Sequence, residues 1–409
     1  MATISGGGAT INFSLGSNET SQIGTSVQGA VNAALAAGTL TYTKSANVAA
    51  ASGQGLAQIA VSGVYALPTT TTALIVLPGS VSSTVTGSSA SNNSVLVDTT
   101  VSQFVFNTNG GSGSLVTGDG NNIVGTATTN FAQYYIQTGS GNDTIIAFTG
   151  FNTVSAGAGN NLIGTGTTGT QSNDVVFASG NDTIIGGAGR GTDVVIAGVG
   201  TELVNPGSKN LTFIGTVGTA TIIGGSGQEF VALGTGGGQA GGGSGAANLL
   251  FGGAGAAGST LFGGSNGDIL FARGTGSTVL VAGVGNETLQ GGASSGNNTY
   301  FIGTGNNVIG MGTGADTVIS GGTGSAVVNI GSAVDTVRFI NRAAGSTANV
   351  VINNFVAGAD KVQLVGYGAG ATTGIASSAT AGSSQVLTLT DGTKVTFVGV
   401  TSNLGSSFV

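Results

Sequence analysis

The sequence predicts an all-β fold, a parallel β-roll or β-solenoid of short strands, with a small N-terminal α+β or β cap and a C-terminal β-hairpin cap. Three observations carry this reading. Glycine supplies 80 of the 409 residues, roughly threefold its usual share. From about residue 104, pairs of β-branched or aromatic residues recur between Gly, Asn, Thr and Ser clusters, with centres about nine to ten residues apart. Charged residues are only 6% while hydrophobic ones reach 40%, so the chain can bury a core but must surface it with small, neutral side chains.

The repeat dictates the elements. Ile145-Ile146, Leu162-Ile163, Val175-Val176, Ile184-Ile185 and Val194-Val195 begin one series, and Leu249-Leu250, Leu261-Phe262, Ile269-Leu270 and Val279-Leu280 belong to another. Each unit is too short for a helix pair, and its β-branched content between glycines favours a strand. One such strand cannot bury a face alone. Two per coil, stacked on the next coil, make a continuous thin core, with about 18 to 20 residues per coil. Three-sided β-helices with longer coils are the structural alternative. Residues 104–345 are read as this repeat domain, residues 1–103 as a cap or assembly domain and residues 346–409 as a closing cap. Within the first segment Val27, Val31 and Leu35 fall at i, i+4 and i+8 of a short amphipathic helix stopped by Gly38. Near the end, Gln385 to Val398 reads as two alternating strands joined at Asp391-Gly392, a strong hairpin signal.

Composition excludes several classes. Only 3 prolines and no Gly-X-Y triplet argue against collagen, and a mean hydropathy of +0.37 argues against disorder. A net charge of −7 with 8 scattered basic residues provides no stripe to neutralise nucleic-acid phosphates. No stretch has the length and apolarity of a membrane-spanning helix. The absence of His and Cys removes Ser-His-Asp triads, Cys-His nucleophiles and His- or thiolate-ligated zinc. Paired carboxylates could still hydrolyse a sugar, but the acidic residues fall at turn positions of the repeat, so the chain is expected not to be an enzyme.

The turns carry a resemblance. Thr138-Gly-Ser-Gly-Asn-Asp143-Thr-Ile-Ile146 resembles the nonapeptide Gly-Gly-x-Gly-x-Asp-x-U-x of repeats-in-toxin β-roll proteins, where U is a large aliphatic residue. Approximate copies run from Ser179 to Ile185, Gly263 to Phe271 and Gly312 to Ile319, with Asp182, Asp268 and Asp316 at the Asp position. The resemblance implies Ca²⁺ held by Asp carboxylates and backbone carbonyls between neighbouring coils. The pattern is degenerate: Asn122, Asn161 and Asn307 stand at the Asp position, as do Glu202, Glu229 and Glu287, and a neutral Asn is the poorer ligand for a hard dication. Carboxylates one coil apart could share an edge, which selects Asp174 with Asp193 and Asp316 with Asp335, followed by Asp182 with Glu202 and Asp268 with Glu287. The other chemistry that fits is turn capping, with Asn ladders in place of calcium.

Val350 to Leu364 is similar to the segment that closes many such β-rolls, with Asn354 where Asp is usual, and the terminal Ser406-Ser-Phe-Val409 resembles an uncleaved type I secretion signal. The resemblance thus implies export through the type I machinery to the extracellular space or bacterial cell surface. The expected function is a self-assembling surface layer, filament or biofilm-matrix polymer, stabilised by calcium at a subset of turns and partnered by copies of itself. An adhesin that binds cell-surface polysaccharide is the alternative. Neither nucleic acid nor membrane insertion is expected.

Overall fold

The computed structural model describes residues 2–6, 9–13, 22–42, 54–77, 82–89, 93–98, 101–126, 133–147, 149–245, 247–265, 267–321, 323–342, 348–401 and 404–409. The protein is a nearly all-β parallel β-solenoid of about 14 turns, with one short helix near the N-terminus. It divides into two compact units, Met1–Thr212 and Phe213–Val409.

In the first unit, strands contributed alternately to two sheets pair in parallel with the equivalent strand of the next coil. One sheet aligns Leu115, Ile136, Val154, Val176 and Val195, and the other aligns Phe106, Val124, Ile145, Ile163, Ile184 and Val204. All of these side chains are buried. Each contributes about 1.5–3 kcal/mol of burial, and since neighbours in the column come from successive coils, stability accrues coil by coil. The parallel ladder already begins at Leu40–Tyr42 and Gln54–Ile59, inside the segment read from sequence as a separate cap. The reason is visible in the residues: Ile75 and Val95 sit in short alternating strands that stack like the later repeats.

The predicted helix is present as Gln22–Ala36, followed by Gly38 at φ +70°. It lies along the flank of a sheet. Val27, Val31 and Leu35 pack on Leu56, Ala73, Ile75, Leu96 and Val116, which alternate with the interior column Leu74, Val95 and Leu115 and so face outward from it. The helix thereby buries both faces of Thr71–Val76.

The second unit repeats the plan. Val231, Leu250, Leu270, Leu289, Ile309, Val328 and Ile352 form one interior column, and Ile222, Ala240, Leu261, Leu280, Tyr300, Val318, Val337 and Val362 the other. At its end Ser384–Leu389 and Lys394–Phe397 form the predicted antiparallel hairpin, and Lys394–Phe397 also pairs in parallel with Asn349–Asn353. Among the described residues no helix is long and apolar enough to cross a membrane.

Candidate functional site

The acidic and amide residues of the repeat stand two positions before a buried strand residue, so the alternation of the strand turns them inward at the coil edge. There they form ladders. In the first unit the backbone N–H and side-chain amide of Asn122 donate to Asp143 Oδ1 (2.7 and 3.0 Å), the Asp143 N–H donates to Asn161 Oδ1 (2.9 Å), and Asn161 donates twice to Asp182 Oδ1. Glu202 stands next in this series and its carboxylate has no hydrogen-bond partner on a neighbouring coil. In the second unit Glu229 donates its N–H to Asn248 Oδ1, Asn248 donates to Asp268 Oδ1, and Glu287 donates to Asn307 Oδ1.

The other edge of the second unit is the most complete ladder. The N–H groups of Asn298, Asp316 and Asp335 donate to Oδ1 of Asp316, Asp335 and Asp360 (2.6, 2.8 and 3.0 Å). The second oxygen of each carboxylate closes its own turn, accepting from the N–H of Gly312, Gly331 or Val356 four residues earlier. A parallel run of exposed amides lies outside the buried one in the first unit, where Asn142 donates to Asn121, and Asn160 to Asn142.

Asp174 and Asp193 share the remaining edge, and Lys209 lies between them. Asp174 Oδ1 accepts from both amides of Asn152, and the Asp174 N–H donates to Asp193 Oδ1. Lys209 stands two residues before buried Leu211, in the position that Asp174 and Asp193 hold before Val176 and Val195. Its ammonium contacts Asp193 Oδ1 and lies 3.4 Å from Asp174 Oδ2 and 3.3 Å from Ser172 Oγ. The Lys209 side chain is 0% exposed.

Desolvation dominates the electrostatics. Burial pushes the carboxyls of Glu202, Glu229 and Glu287 up to about 7, with neighbouring Asp182 adding to the effect at Glu202 and Asp268 at the other two. Burial likewise raises Asp335 to about 6 and lifts Asp143, Asp182, Asp193 and Asp316 above the usual carboxylate range.

The sequence-selected residues are thus brought together edge by edge, most of them as acceptors for N–H donors, with Glu202 the exception. A calcium site needs several hard oxygens turned on one point. Among the described residues no three acidic side chains converge in that way. Both oxygens of Asp316 and of Asp335 hold backbone amides, and the Asp174–Asp193 pair holds an ammonium. At these two pairs the donor set matches turn capping, whereas both oxygens of Glu202 and one oxygen each of Glu229 and Glu287 are buried without a hydrogen-bond partner. Sequence reading missed Lys209 and Asp360. Lys209 carries the opposite charge to its register neighbours, and Asp360 lies 25 residues from Asp335, beyond the usual coil spacing; its place before buried Val362 is the signal that finds it. No protein-family model matches the chain, and no curated protein matches its sequence.

Proposed function

We propose that the protein is an extracellular structural component that assembles with further copies of itself through the outer faces of its coils. One observation carries this. In the second unit the outward row of one sheet reads Phe230, Leu249, Ile269, Thr288, Val308, Val327 and Val351, aligned coil upon coil without a charge. Beside it Phe251 and Phe271 stack at 4.8 Å with Arg273 over the Phe251 ring. An uncharged apolar stripe on regularly spaced strands is the surface that a monomer ordinarily interrupts with charge. The first unit supplies a measure of what cover does: beneath the helix, outward Ile75, Leu96 and Val116 are at most 1% exposed, whereas Val308 and Val327 are 40% and 38% exposed.

A repeats-in-toxin affiliation, type I export and a cell-surface location belong to the same proposal and rest on the nonapeptide and closing-segment resemblance. The stacked phenylalanines favour the second reading, an adhesin with a flat aromatic platform for a polysaccharide. Light scattering and electron microscopy over a protein titration, with calcium and with EGTA, separate the two. Ordered assemblies are expected in both solutions, and the double variant Val308→Lys, Val327→Lys is expected to disperse them while keeping its β-sheet circular dichroism. A chain that stays monomeric at every concentration in both solutions overturns the assembly reading.

A further inference from the structure

The cluster around Lys209 has the composition of a reaction centre. A primary amine, a carboxyl group in contact with it and a second carboxyl within reach are sealed together: Lys209 and Asp174 side chains are 0% exposed and that of Asp193 4%. Asp193 is gripped on both oxygens, because the Thr165 hydroxyl donates to Oδ2 (2.5 Å) and the Asp174 N–H donates to Oδ1 (3.2 Å). Gly166 leaves room for the amine, since a Cβ there would stand 3.1 Å from Nζ. An ion pair of this kind is costly to desolvate and is commonly replaceable by apolar residues without loss. The other described coil-edge residues in this register are neutral or acidic, so a lysine here is a departure that ladder capping does not require.

We propose that Lys209 and Asp193 close an intramolecular amide bond, with Asp174 as the proton carrier. Within the buried pair the ammonium passes a proton to the Asp193 carboxylate, leaving a neutral amine and a carboxylic acid. The Nζ lone pair forms a bond to Cγ of Asp193, and the developing oxyanion on Oδ2 is held by the Thr165 hydroxyl. An amine proton then moves by way of Asp174 Oδ2 to the hydroxyl on Asp193 Oδ1, the Cγ–Oδ1 bond of Asp193 breaks as the Oδ2 oxyanion re-forms the carbonyl, and one water leaves. Atoms and electrons balance without an external reagent. Burial raises the Asp193 carboxyl against the opposing pull of the Lys209 charge, which favours the neutral acid that the attack requires. Rigid coils hold the partners at contact, so the step has the advantage of an intramolecular reaction. The product staples neighbouring coil edges in a chain without cysteine.

Mass spectrometry of the full chain, folded at neutral pH and then denatured and digested with trypsin, tests this. Trypsin is expected to cut after Arg190 and Arg273 but not after Lys209, giving a fragment from Gly191 to Arg273 lighter by one water. Recovery of an unmodified peptide Gly191 to Lys209 from wild-type protein overturns the proposal. Lys209→Arg keeps the charge and is expected to show full mass; a water deficit in that variant also overturns it, because the loss would then arise elsewhere. Asp174→Asn is expected to slow closure at least tenfold, and closure at the wild-type rate would remove Asp174 from the step.

Discussion

At Gly159 the backbone takes φ +137°, and an added Cβ would stand 1.7 Å from the carbonyl oxygen of Gly141 on the neighbouring coil. Two constraints coincide there, a backbone conformation that L side chains rarely adopt and a turn stacked directly on the next turn. Gly159→Ala is therefore expected to lower stability by about 2 kcal/mol or more. Gly29 is the control. It lies within the helix Gln22–Ala36 with nothing within 4 Å of the added methyl, so Gly29→Ala is expected to raise stability by up to about 1 kcal/mol. Urea unfolding of both variants checks the pair of signs. Composition alone indicates that glycine is needed at turns. Which glycine touches a neighbouring coil depends on register, and that is a property of the stack.

At the scale of the element, the ladder from Asn298 to Asp360 ties successive strands together at their edge. Removing the Asp316 side chain leaves the buried N–H groups of Asn298 and Gly312 without acceptors, at about 1–3 kcal/mol for each group stranded. Asp316→Ala is expected to shift the urea midpoint strongly downward. Asp316→Asn, which keeps an oxygen for Asn298, is expected to lose less than half as much. Equal losses would show that the ladder bond to Asn298 contributes little. The 19-residue spacing of Asp316 and Asp335 made this edge legible in the sequence. Asp360 was not, because its coil is longer than its neighbours and the spacing rule assumes constant coil length.

For the molecule as a whole, the raised carboxyls set the pH response. Glu202 belongs to one unit, and Glu229 and Glu287 to the other. Burial raises each to about 7 from the ordinary 4.5 of a glutamate, so the folded state binds protons more tightly than the unfolded state. Their contribution to stability is complete below about 4.5 and is lost as pH rises through about 7. Melting temperature is expected to fall between pH 4.5 and pH 7.5, and the triple variant Glu202→Gln, Glu229→Gln, Glu287→Gln is expected to flatten that slope. An unchanged slope in the triple variant would place the titration elsewhere. The same scale governs assembly: the apolar stripe of the second unit spans many coils, and paired lysines at Val308 and Val327 act by interrupting its continuity.

The sequence by itself determined the strand period, the parallel coil, the amphipathic helix, the closing hairpin and the grouping of acidic residues by edge. These follow from short-range rules, namely alternation within a strand, turn chemistry at glycine and a nearly constant coil length. Tertiary structure decided what those edges do. Stacking turns Asp143, Asp182, Asp268, Asp316 and Asp335 toward N–H groups of neighbouring coils, sends the helix to the flank where Ile75, Leu96 and Val116 needed cover, and draws Lys209 between Asp174 and Asp193. No local pattern encodes these outcomes, because each depends on groups one or more coils apart in sequence that become neighbours only when the coils stack.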